Sequence, residues 1–81
     1  MKPLQIDAKK RRVKLRLAAK IYSQKALIQS LKDYQAHLVD AQLARKPKFF
    51  QIDFCVPEGA NPEFLALSLA NHCLALTQAL G

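Results

Sequence analysis

Val13-Lys14-Leu15-Arg16-Leu17-Ala18-Ala19-Lys20-Ile21-Tyr22 is the stretch on which the fold turns. Val13, Leu15, Leu17, Ala19 and Ile21 alternate with Lys14, Arg16, Ala18, Lys20 and Tyr22. A period of two over ten residues describes a strand with one buried face. Its rival is a helix, because Ala, Leu, Lys and Arg favour helix. Helical spacing aligns Val13, Leu17 and Ile21 but turns Leu15 away from them, so the strand is the preferred reading.

Downstream, Ser23 is placed to cap a helix by accepting a backbone N–H bond. From Ser23 to Tyr34, Leu27, Ile28, Leu31 and Tyr34 share one stripe, with Gln24, Lys25, Gln29 and Lys32 mostly outside it. Two alternating segments follow. Val39, Ala41 and Leu43 are expected to face one way, with Asp40 and Gln42 opposite. Phe50, Ile52, Phe54 and Val56 are expected inward, with Gln51, Asp53 and Cys55 outward. The polar run Arg45-Lys46-Pro47-Lys48 between them suits a hairpin turn. Pro57-Glu58-Gly59-Ala60 then breaks the strand. Asn61 as cap, Pro62 at the first helical position and Glu63 near the positive helix end open a last helix over 64–80.

The element order is therefore β-α-β-β-α, an α+β two-layer sandwich. A three-stranded sheet carries both helices on one face, and the third strand sits between the other two. Residues 1–12 read as a solvated basic arm, because the run Lys9-Lys10-Arg11-Arg12 repels itself. Residues 13–81 read as one domain. No repeat or low-complexity segment is visible.

The last helix is unusual. Leu65, Leu69, Cys73, Leu76 and Leu80 form a stripe worth on the order of 10 kcal/mol before entropy. Phe64, Leu67 and Leu74 carry apolar character round the cylinder, and no charge follows Glu63. A helix of this kind is expected to be buried on more than one side. Leu65, Leu67, Leu69, Leu74, Leu76 and Leu80 are accordingly read as a subunit interface, with a homo-oligomer or a partner protein as the expected assembly. The chain is 51% hydrophobic over 81 residues, which is more apolar material than so small a domain readily buries alone.

Charge divides the chain. Residues 1–25 hold nine Lys/Arg and one acid, whereas residues 26–81 hold four and five. Lys9, Lys10, Arg11, Arg12, Lys14, Arg16 and Lys20, with Tyr22 and Phe49 as stacking surfaces on an open sheet face, form a site for nucleic acid or for an acidic protein. The sequence lacks the GxxG loop and the aromatic-rich strand motif of small RNA-binding modules.

Signals for catalysis are weak. The glycines are Gly59 and Gly81, so no phosphate-binding loop exists. His37, Cys55, His72 and Cys73 supply zinc-type ligands, but their spacing matches no zinc motif, and His72 and Cys73 point about 100° apart on a helix. Cys73 on an apolar stripe favours a neutral thiol over a nucleophile. Asp40 and Asp53 are placed to face each other across the hairpin, where solvated acids offsetting nearby bases are the commoner state. No enzyme activity, cofactor or metal is expected. Two cysteines without a secreted framework read as reduced thiols. The N-terminus has no apolar run behind its charges, and the last helix is too polar for a membrane span, so a cytoplasmic protein without membrane contact is expected.

In outline, residues 13–76 resemble the His-Xaa-Ser system protein D family. The resemblance rests on a strand, then Ile21-Tyr22-Ser23 opening a helix with Ala26-Leu27, then a hairpin and a final helix. The family's last helix carries a Leu-Leu-Asn-Asp-Tyr-type motif. Here Leu69-Ala70-Asn71-His72-Cys73-Leu74 keeps Leu69 and Asn71 and lacks the acid and the tyrosine. Those small proteins accompany radical-SAM peptide-modifying enzymes. The resemblance implies a non-catalytic accessory role beside such an enzyme and carries over no catalytic residue. The alternative is an RNA- or DNA-binding module using the basic segment.

Overall fold

The alternation that begins at Val13 folds as a strand, and it stops earlier than the pattern suggests. The computed structural model describes residues 4–7 and 9–80, Leu80 by its backbone alone. In chain order the elements are β1 (Leu4–Asp7), β2 (Arg12–Ala18), α1 (Gln24–Asp33), a 3-10 turn (Gln35–His37), β3 (Val39–Arg45), β4 (Phe49–Cys55) and α2 (Pro62–Leu80). The fold is α+β, with one open antiparallel sheet of four strands in the order β1-β2-β4-β3.

Strand β2 ends at Ala18 because its partner ends there. Ala18 pairs with Phe49, the first residue of β4. Beyond that pair the chain turns, with the N–H groups of Ile21 and Tyr22 both donating to the Ala18 carbonyl at 3.0 and 3.1 Å. Residues 19–22, expected as strand, are therefore a turn. The expected three-stranded sheet is also corrected to four, since β1 pairs antiparallel with β2, setting Leu4 opposite Leu15 and Ile6 opposite Val13. Two features outweigh the like-charge repulsion of the Lys9–Arg12 run. Leu4 and Ile6 sit two apart, and the Asp7 carboxylate accepts the backbone N–H groups of Lys9 and Lys10, which turns the chain despite their charges.

Strand β4 lies in the middle, between β2 and β3, as the split arrangement requires. Its inward residues meet those of β2 in register: Val13 with Phe54, Leu15 with Ile52, Leu17 with Phe50. These six are buried, and Ala26 and Leu27 of α1 and Ala66, Leu69 and Cys73 of α2 complete the core with Val56. One face of the sheet is thus covered by both helices.

Strand β3 departs from its expected alternation. Its register shifts between Val39 and Gln42, and Asp40 takes the left-handed φ of 52°. This bulge puts Val39 opposite Cys55, which faces outward, and Leu43 opposite Ile52, which faces the core. Val39, Ala41 and Leu43 do not share a face. The same bulge sets Gln42, not Asp40, opposite Asp53.

The helix caps follow their sequence signals. Ser23 Oγ accepts from the Ala26 N–H at 3.0 Å, and Asn61 Oδ1 accepts from the Phe64 N–H at 3.1 Å. Gly59 occupies φ 90° in the turn before α2, a conformation that L side chains rarely adopt.

Candidate functional site

The uncovered sheet face carries the basic residues. With the odd positions of the Val13–Leu17 alternation inside, Arg12, Lys14 and Arg16 stand in a row on the outside. The strand rise sets them about 6.7 Å apart. All three are half-buried by their neighbours. Arg12 Nη1 donates to Cys55 Sγ at 3.4 Å. Arg16 Nε donates to Gln51 Oε1 at 3.4 Å, and its guanidinium lies over the Phe49 ring, 5.5 Å from the centroid. Gln51 in turn donates to Asp53 Oδ2 at 3.1 Å. Lys14 stands opposite Asp53 in register. Among the described residues no ion pair involves any cation of this face.

One end of the row continues into the β1–β2 turn. Lys9 and Lys10 there line a shallow concavity of about 630 Å³ together with Arg12, Lys14, Gln5, Asp7 and Asp53. Exposed Lys20 lies past the other end, in the turn after β2, and exposed Lys48 flanks the same end in the β3–β4 hairpin.

Two of the nine residues read as a basic and aromatic site stand elsewhere. Arg11 donates to the carbonyls of Val56 and Pro57 at 3.4 and 3.2 Å, which ties the left-handed turn (φ 53°) to the end of β4. Its guanidinium is engaged in structure. Tyr22 packs against the core, because the chain leaves the sheet at Ala18 and parity along the strand no longer decides its side. Lys9, Lys10, Arg12, Lys14, Arg16 and Phe49 come together, with Lys20 at the margin.

The helix layer holds a second polar cluster, which no motif announced. Asp33, at the end of α1, accepts from Gln29 Nε2 at 2.9 Å and meets His72 Nε2 of α2 at 2.8 Å. The hydrogen bond from His72, then that from Gln29, holds the Asp33 carboxyl below the usual carboxylate range. The Tyr34 ring tilts against His72 with centroids 5.3 Å apart, and Tyr34 Oη donates to the Ser68 carbonyl at 3.2 Å. Asp33 and His72 are far apart in sequence and meet only because α1 and α2 pack side by side.

The zinc-type side chains do not converge. Cys55 is on the open face and Cys73 is in the core, so both are free thiols on opposite sides of the sheet. Burial pushes the Cys73 thiol up, against hydrogen bonds involving Ser30 and Thr77. Among the described residues, no three His, Cys, Asp or Glu side chains are grouped to hold a metal ion. No described helix is long and apolar enough to cross a membrane.

The six leucines read as a subunit interface also separate. Leu69 is fully buried in the chain's own core, and Leu65 and Leu76 pack partly against it, because the stripe faces the sheet. Leu69 is corrected to a core position, whereas Leu65 and Leu76 stay partly exposed at its edge. Leu74 is half-buried and Leu67 is 50% exposed. The side chain of Leu80 lies outside the described residues. Phe64, which the interface reading omitted, is 71% exposed one turn before Leu67.

No family model matches the chain, and no curated protein or solved structure matches it either.

Proposed function

We propose that this chain is a small non-catalytic interaction protein that docks through the outer face of α2, onto a second copy or onto a partner subunit. The observation that carries the reading is the exposure of Phe64 and Leu67, at 71% and 50%, on a helix whose opposite face already fills the core. Each is a large apolar side chain whose burial is worth about 1.5–3 kcal/mol, and they are neighbours at i and i+3. Nearby Leu65, Tyr34 and His37 line a concavity of about 290 Å³ beside Phe64. The sequence resemblance to the His-Xaa-Ser system protein D family, carried by Leu69 and Asn71 and the order of elements, would put it in an accessory place beside a peptide-modifying enzyme.

Sedimentation equilibrium at micromolar concentration, together with affinity capture of co-expressed neighbouring subunits, tests the reading. Association that Phe64→Asp and Leu67→Asp abolish, with the fold retained by circular dichroism, is the expected result. A monomer that retains no partner sinks the proposal.

A further inference from the structure

We propose that the open sheet face binds single-stranded nucleic acid, with the phosphate backbone running along Arg12, Lys14 and Arg16 and a base set against the Arg16–Phe49 pair. This goes beyond docking through α2 and uses the opposite side of the molecule.

Charge complementarity identifies the occupant. Lys9, Lys10, Arg12, Lys14 and Arg16 face two carboxylates, Asp7 and Asp53, so the surface keeps a clear positive excess. Both carboxylates already have donors: Asp7 accepts the turn N–H groups, and Asp53 accepts from Gln51. The cations' own partners are neutral: Arg12 donates to Cys55 Sγ and Arg16 to Gln51 Oε1. Among the described residues the one acid–base contact within 4 Å is Asp33–His72, in the helix layer. A row of uncompensated cations at a regular strand spacing, half-buried and so held in place by neighbours, matches a polyanion with charges in line.

The shape favours a single strand over a duplex. The face is a sheet with no projecting helix or ribbon to enter a groove. A single strand exposes base faces, and the Arg16 guanidinium over the Phe49 ring presents a planar cation of the kind on which bases stack. Gln51, two residues from Asp53 along β4, adds an amide that accepts from Arg16 and donates to Asp53.

Fluorescence anisotropy with labelled twelve-nucleotide oligo(U) and oligo(dT), a matched duplex and poly-glutamate as competitor tests the proposal on the full chain. Three to five phosphate contacts to a single strand predict that affinity falls about twentyfold to a hundredfold between 50 and 200 mM salt. Lys14→Ala should weaken binding and reduce the logarithmic salt slope by about 0.7. Phe49→Ala should cost roughly five- to hundredfold through lost stacking. Lys25→Ala and Lys32→Ala, both exposed on α1, should change little. Comparing oligo(U) with oligo(dT) assigns RNA or DNA as the source of the strand. Thermal melts confirm that each variant folds. Absence of binding at 50 mM salt overturns the proposal. So does equal loss from the α1 variants, which would mean diffuse attraction. Displacement by poly-glutamate at matched charge, with no preference for either oligonucleotide, overturns it in favour of an acidic protein. Leu67→Asp should leave oligonucleotide binding intact, so failure here and failure of docking through α2 are separately visible.

Discussion

The two faces of the sheet are made by the same strands and share almost nothing else. On the helix side, Val13, Leu15 and Leu17 of β2 meet Phe54, Ile52 and Phe50 of β4, and every one is buried. On the other side, Arg12, Lys14 and Arg16 meet Cys55, Asp53 and Gln51, and every one is half-exposed. Alternate residues of one strand thus build the core and the basic outer row separately. Side chains on the outer face are positioned by a ladder whose energy comes from the inner face.

That separation is open to attack at several points. The largest effect should come from the inner face: Phe54→Ala, at a fully buried position, should cost about 3–5 kcal/mol in urea unfolding. A loss below 1 kcal/mol would mean that β4 is not the centre of the core. Removing the α1 cap with Ser23→Ala should cost about 1 kcal/mol, measured in the same way, and should leave oligonucleotide affinity unchanged. Acid unfolding tests the seam between the helices. The Asp33 carboxyl is held below its ordinary range in the folded state, so its contribution is present above that range and fades as pH falls through it toward the lowered folded value. Asp33→Asn should flatten the acid limb of the stability profile, and an unchanged limb would remove the seam from the account. The smallest effect should come from the outer face, where Lys14→Ala should shift stability by no more than about 0.5 kcal/mol. A larger loss would show that the two faces are energetically coupled.

Much of the inner face was legible in the sequence because it depends on local regularities. The alternation at Val13–Leu17 and Phe50–Val56, the Ser23 and Asn61 caps and the Pro47 turn each act over a few residues. The misreadings have a common origin in partners distant along the chain. Tyr22 has the parity of a sheet-face residue, but pairing stops at Ala18 because β4 begins at Phe49. Residues 1–12 read as a solvated arm, although β2 supplies a partner strand for Leu4 and Ile6. Leu69 looked free to meet a second subunit, although the stripe it belongs to has only one sheet to cover.

The basic row shows both kinds of dependence. That Arg12, Lys14 and Arg16 share a side follows from the twofold period of a strand, which the residues alone impose. That Arg11 does not join them follows from a left-handed turn and from two carbonyls more than forty residues away. The sequence by itself determined the class of fold, the caps, the central hairpin and the segregation of charge, because each arises from neighbours along the chain. Only the tertiary structure decided the fourth strand, the bulge at Asp40, the Asp33–His72 pair and which apolar residues remain uncovered, because each depends on elements that become neighbours only once the sheet and helices have packed.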